Sequence, residues 1–209
     1  MRLGDRLDRR FSGKVEFLVL FVCALLIGLI VPCQAVEPHD ASIIHVTLGD
    51  PPFEAPVSFA IPGALRPEIH DNFFRIRVSY PSMHATSNFK KLEDDTLDIV
   101  VKAYPKNGTM ADSIVSGSIG AKMIGNEQGF SVYRQPLGHS APKKVWAFLD
   151  QNGNNVAIQD LGSYSVRYQL THGVKRLYVV DCFFSKKLDA NFRDIDAAAM
   201  KLVTDIFAR

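Results

Sequence analysis

Beyond residue 35 the sequence holds a single cysteine, Cys182; Cys23 and Cys33 both lie upstream. An internal disulfide is thereby excluded from residues 36–209. In an oxidising compartment the lone thiol is expected to be buried and structural. Charge imbalance is missing too. Removing the five basic and three acidic side chains of residues 1–35 from totals of 24 and 22 leaves nineteen of each. The pI of 8.4 is therefore largely a property of the N-terminal stretch. A neutral domain offers no bulk field for nucleic acid, so no nucleic-acid partner is expected. There is no Gly-rich phosphate loop, internal repeat or low-complexity segment. The histidines at 39, 45, 70, 84, 139 and 172 share no zinc-ligand spacing with one another or with Cys182. No metal and no cofactor are expected.

One long apolar run is present. Phe17 to Val31 is apolar or glycine throughout, within the stretch VEFLVLFVCALLIGLIVPCQA at 15–35. Arg2, Arg6, Arg9, Arg10 and Lys14 precede it, and Pro32 and the small Ala35 follow. A basic lead, an apolar core and a small terminal residue form a secretory signal, with cleavage after Ala35. The run is long for a signal core and short for a bilayer span, so a retained anchor in the inner membrane fits as well. Lipidation at Cys33 is a third reading, weakened by Val31-Pro32 before it. Either main reading places residue 36 onward outside the inner membrane. The expected organisation is a signal peptide or membrane anchor at 1–35, a linker at 36–41 and a single periplasmic domain at 42–209.

Period-two alternation dominates that domain. Asn72 to Tyr80 (NFFRIRVSY) sets Phe74, Ile76, Val78 and Tyr80 on one face and Arg75, Arg77 and Ser79 on the other, as in a half-buried antiparallel strand. Ser42–Leu48, Val57–Ile61, Thr96–Ala103 and Gly129–Arg134 also read as strands. Residues 109–128 are hard to read, because glycines at 117, 120 and 125 interrupt an otherwise strand-like Ile114–Ile124. From Lys144 onward four strands form a meander. Asn152-Gly153 turns the first pair, Asp160-Leu161-Gly162 the next, and Thr171-His172-Gly173 the last, into Lys175–Phe184. Phe192, Ile195, Ala199, Leu202, Val203 and Ile206 then recur at helical spacing, with Asn191 as N-cap. The expected class is α+β: mostly antiparallel sheet with a C-terminal amphipathic helix packed on it, preceded by the N-terminal membrane segment.

Catalytic patterns are incomplete. Gly117-Ser118-Ile119-Gly120 approaches a nucleophile elbow, but Ser116 stands where its first glycine belongs. Asp150-x-Asn152-x-Asn154 opens like a calcium loop, but Asn155 and Leu161 replace its required glycine and glutamate; a hairpin explains the same residues. Glu93-Asp94-Asp95 adjoins Lys90-Lys91, as in a solvated loop. What remains is a binding surface. Arg75, Arg77 and Arg167 occupy the non-core side of their strands, and the turn holding Tyr80, Met83 and His84 adjoins the arginine strand. These six residues are the expected partner contacts.

Three short segments carry a family resemblance: Phe59-Ala60-Ile61-Pro62, Tyr80-Pro81-Ser82-Met83, and Phe192-Arg193-Asp194-Ile195-Asp196. With the leader, they resemble small membrane-anchored or periplasmic proteins of Gram-negative bacteria, some encoded beside type VI secretion effectors as immunity proteins. The resemblance implies a protein that binds a toxic enzyme, its cognate effector, and blocks it without chemistry of its own. Two rival functions stand beside it: a periplasmic module binding a small molecule or envelope component, and an envelope hydrolase. The first rival requires a concave pocket with convergent polar groups. The second requires Ser116, Ser118 or Cys182 within reach of a histidine.

Overall fold

The computed structural model describes residues 42–49, 55–86, 93–137, 140–162, 165–188 and 191–208. The expected signal or anchor at 1–35 and the linker at 36–41 lie outside these residues. Among the described residues no helix is long and apolar enough to cross a membrane.

The strands are β1 (Ile43–Leu48), β2 (Val57–Pro62), β3 (Glu68–His70), β4 (Phe73–Ser79), β5 (His84–Ala85), β6 (Thr96–Ala103), β7 (Lys122–Glu127), β8 (Phe130–Leu137), β9 (Ser140–Leu149), β10 (Asn155–Asp160), β11 (Arg167–Val174), β12 (Tyr178–Ser185) and β13 (Phe207–Ala208). Among the described residues the helices are α1 (Met110–Val115) and α2 (Phe192–Ile206), beside a short 3-10 turn at Gly63–Leu65. The expected α+β class with a membrane segment is corrected by this inventory. Among the described residues the fold is mostly antiparallel β, with one helix of any length. The meander β9–β12 continues outward on both sides into a ten-stranded sheet ordered β3-β4-β6-β12-β11-β10-β9-β8-β7, with β5 beside β4. A second sheet, β1-β2-β13, completes the strands. The sequence reading stops short because it treats residues 109–128 as interrupted. In fact Thr109 caps a short helix and Lys122–Glu127 forms a bulged strand on β8.

The main core lies on one face of the large sheet. Phe74, Ile76, Leu97, Ile99, Val180, Cys182 and Phe184 point from it toward Ile195, Ala199 and Val203 of α2 and Phe59 and Ile61 of β2. Phe192, the first residue of α2, enters a cage of Phe130, Trp146, Tyr168 and Phe184, with ring centroids 5.3–6.0 Å away. Asn191 caps this helix as expected, its side chain accepting from the Arg193 N–H at 2.8 Å.

The opposite face carries a smaller core: Ala111 and Ile114 of α1 pack with Tyr133, Val145, Ala147 and Ala157. Six residues cannot hold a helix by propensity alone. Here a capping box fixes it, Thr109 Oγ1 accepting from Asp112 N (3.1 Å) and Asp112 Oδ2 from Thr109 N (2.8 Å). Asp112 also accepts from Tyr104 Oη and Asn155 Nδ2, both at 2.8 Å, so the cap is bolted to the sheet.

Gly173 of β11 lies directly beneath that cap. A Cβ there would sit 2.5 Å from Thr109 Cγ2. Thr109 cannot rotate away without giving up its hydrogen bond to Asp112. Gly173→Ala is therefore expected to cost about 1–3 kcal/mol as an overpacking change. Thr109→Ser on that background removes the offending methyl and keeps the cap, so it should recover most of the loss. Urea unfolding of the two variants checks both numbers.

Candidate functional site

Two side-chain clusters stand out, one on each face of the large sheet. The first gathers the arginines singled out in the sequence. The register aligns Arg77 of β4 with Asp98 of β6, and Arg75 with Val100, Asp181 and Thr171 across the sheet. Arg75 Nε and Arg77 Nε lie 3.2 and 3.5 Å from Asp98 Oδ1, and their other nitrogens reach Glu68 at 3.4 and 3.2 Å. Lys102 pairs with Asp181, which also accepts from Thr171 Oγ1 (2.6 Å) and Gln169 Nε2 (3.3 Å).

The expected exposed patch is thus largely an internal ion network. Arg77 is 8% exposed and Asp98 5%. Arg167 joins it by charge rather than by contact. Burial lowers its pKa from the ordinary value; Asp98 opposes that shift and Arg77 adds to it. Among the described residues no carboxylate comes within 4 Å of its guanidinium. Arg75 and Arg167 are the two arginines of the trio that keep solvent access.

The Tyr80–His84 turn divides as well. Tyr80 and Met83 pack against the main core, whereas His84 is exposed in β5. Met83 takes a left-handed backbone (φ 57°), so its side chain turns back onto the core instead of outward. The structure therefore brings the three arginines together. It leaves His84 apart from them in exposure and takes Tyr80 and Met83 into packing.

The second cluster was not legible in the sequence. His172, read there as a turn residue, lies within β11 on the α2 side of the sheet. Its Nδ1 is 2.8 Å from Asp196 Oδ1 of α2, and its Nε2 is 3.1 Å from Asp150 Oδ2 in the β9–β10 loop. A neutral imidazole carries one N–H, which would leave a lone pair facing a carboxylate. The imidazolium alone donates to both. Burial disfavours that charge, but the hydrogen bond and charge of Asp196, followed by those of Asp150, outweigh it and raise the His172 pKa.

Asp150 is itself held by the loop it begins. Its carboxylate accepts from Asn154 Nδ2 (2.7 Å), Asn154 N (2.7 Å) and Asn152 N (2.8 Å). Burial would raise its pKa; these donors and the His172 charge bring it below the ordinary value. The residues that looked like a calcium loop thus spend their carboxylate on backbone N–H groups and histidine. Among the described residues no group of three or more His, Cys, Asp or Glu side chains is placed to hold a metal.

A cavity of about 450 Å³ opens beside this cluster, lined by Phe148, Asp150, His172, Arg193, Asp196 and Met200 among others. Arg193 stacks over Phe148 with its guanidinium carbon 4.3 Å from the ring centroid. The chemistry available here is electrostatic. Both His172 nitrogens are engaged by carboxylates, so neither faces a hydroxyl or thiol as a base. Ser116 and Ser118 direct their hydroxyls to the Ser113 carbonyl. Cys182 is fully buried, and burial raises its thiol pKa strongly, the reverse of what a nucleophile needs.

No protein-family model matches the sequence, and no curated protein matches it significantly. Among solved structures, the chain is similar to an immunity protein of the Stenotrophomonas maltophilia type IV secretion system. That likeness has a TM-score of 0.52 and covers 81% of this chain and 94% of the other, at 10% sequence identity. The fold is similar to that of this solved protein. At this identity the likeness concerns fold, and the secretion system named is type IV, where the sequence resemblance pointed to type VI.

The His172 cluster makes stability depend on pH in a definite direction. A group whose folded pKa is raised contributes fully below its unfolded value, about 6.5. That contribution is lost as pH rises through the higher folded value. Unfolding free energy should therefore fall above about pH 6.5. His172→Ala should cost about 3 kcal/mol near pH 6, because two carboxylates lose their shared cation. The variant should also lack the alkaline decline attributable to His172. Urea titrations across pH 5.5–9 test this, and wild-type and variant curves running parallel would refute the assignment.

Proposed function

We propose that this chain is a protein-binding inhibitor of the immunity type, acting in the periplasm on a secreted toxin. The observation that carries the reading is the fold held in common with a secretion-system immunity protein across 94% of that protein's length. The geometry supports it. The conspicuous polar residues pair with one another, as in a binding scaffold, and both ring nitrogens of the buried His172 are taken by carboxylates. The basic lead and apolar run before residue 36 fit export past the inner membrane, where such a toxin would act.

The partner face we favour is the arginine-bearing side of the sheet. Arg75, Arg77, Arg167 and Lys102 stand there against Glu68, Asp98 and Asp181, so the set carries one cation in excess. Arg167 is that cation, and an acidic patch on the toxin is the complementary surface. His84, exposed near the end of β4, extends the same contact.

A second reading has its own observation. The cavity beside His172 combines Phe148 and Met200 with Asp150, Asp196 and Arg193, which is the mixture a small-molecule site requires. Under that reading the arginine face would be neutral to function and the cavity lining would not.

The test uses the secreted product of the neighbouring gene. The full chain should protect a cell that exports that product to its periplasm, and the two should co-purify. Arg167→Glu should weaken binding at least about tenfold, as expected for a charge at the interface. It should leave the melting temperature within a few degrees. Unchanged binding and protection by this variant, alongside loss on filling the cavity with Ala197→Trp, would favour the second reading. Absence of any protection by the wild-type chain would remove the first.

A further inference from the structure

We propose that two copies of this chain associate through β7, joining their ten-stranded sheets antiparallel about a twofold axis. This inference does not rest on the function proposed above. β7 ends the large sheet opposite β3, and all six of its residues are exposed. Met123 and Ile124 are 53% and 52% exposed on it. An edge strand of this length with apolar side chains presents unpaired backbone donors and acceptors to any complementary strand. The opposite edge is blunted, β3 having three residues.

The sequence of β7 and its bulge identify a second copy as the occupant. The register of β7 on β8 is Lys122↔Arg134, Met123↔Tyr133, Gly125↔Val132, Asn126↔Ser131 and Glu127↔Phe130, with Ile124 extra in the bulge. Arg134 and Phe130 are an even step apart on β8, so Lys122 and Glu127 share one face of the sheet. Met123 and Asn126 share the other. In a strand without a bulge, residues five apart would lie on opposite faces.

An antiparallel twofold requires each opposed pair to share a face. Centring the axis between Ile124 and Gly125 meets that condition. It sets Lys122 of each copy against Glu127 of the other, Met123 against Asn126, and Ile124 against Gly125. Charge supports the same register. Lys122, Arg134 and Lys144 lie side by side across β7, β8 and β9, a row of like charges that is unfavourable as it stands. Within the chain, Glu127 answers Lys144 at the inner end of this row, at 2.7 Å. No carboxylate among the described residues lies within 4 Å of Lys122 at its outer end. In the paired assembly the partner's Glu127 lands there, twice by symmetry.

Sedimentation velocity on the full chain tests the proposal. It is run up to about 100 µM, because a six-residue ladder lies at the weak end of protein interfaces. A concentration-dependent dimer is expected. Lys122→Glu and Glu127→Lys should each weaken it about tenfold or more by opposing like charges across the axis. The combined variant K122E/E127K reverses both signs and should restore association to within about threefold of wild type. Ile124→Lys, which leaves both charges in place, should give monomer. Lys122→Glu stands as the decisive single change should Glu127→Lys, which also gives up Lys144, fail to fold. A monomer at every concentration would overturn the proposal. So would an association indifferent to Lys122→Glu, or a folded double variant as weak as the single ones.

Discussion

Strands β6 and β12 are buried on both faces, and most of the molecule follows from how the two faces differ. On one side Leu97, Ile99, Val180, Cys182 and Phe184 meet α2 and the small sheet with no polar atom to satisfy. On the other, Asp98 and Asp181 are buried to 5% and 4% exposure. A buried carboxylate is tolerated only when paired and hydrogen-bonded. Lys102, Thr171 and Gln169 supply both to Asp181, and Arg75 and Arg77 pair with Asp98 by charge. The register meets this need by setting Arg77 opposite Asp98 and Thr171 opposite Asp181.

The apolar side also holds a buried polar contact, His172 with Asp196, which does what apolar contacts do not. Hydrophobic packing holds α2 onto the sheet but is tolerant of sliding. The imidazolium between Asp196 and Asp150 fixes the helix, β11 and the β9–β10 loop relative to one another through two directional bonds. Phe192 does the same by shape, one turn earlier, inside four aromatic rings. The cavity beside His172 is walled by the same helix and loop. His172, which ties the two together, is part of its lining.

Much of the strand pattern was legible because alternation is a local signal. Thr96–Ala103 was read with the boundaries it has, and Asn191 was found as the cap of α2. Legibility fails where distant contacts overrule local propensity. Thr171-His172-Gly173 has the composition of a turn, yet each residue suits the interior of β11. Thr171 bonds Asp181, His172 bonds two carboxylates, and Gly173 leaves room for Thr109. The candidate arginines were assigned to the correct face. Alternation distinguishes the core side from the other side; it does not say that the other side is wet, and here much of it is not. β7 was obscure for the opposite reason: neither of its faces is buried, so no alternation is imposed on Lys122–Glu127. Its neighbour α1 is too short for a helical period and is announced only by the pairing of Thr109 with Asp112.

The distribution of polar chemistry also bears on what the molecule is built to do. A catalytic site keeps some group unsatisfied, whether a base with a free lone pair or a nucleophile with a lowered pKa. Both conspicuous clusters run the other way. Each nitrogen of His172 has a carboxylate, each oxygen set of Asp150 and Asp181 has donors, and burial drives the Cys182 thiol away from ionisation. Among the described residues, Arg167 on the polar face and Lys122 at the outer end of the cation row have no carboxylate within 4 Å, and β7 is an exposed edge strand. Those are the features that another polypeptide completes, by charge and by backbone hydrogen bonds. Surface charges and a strand edge of this kind are suited to recognition, where rigidity before contact lowers the entropy lost on binding.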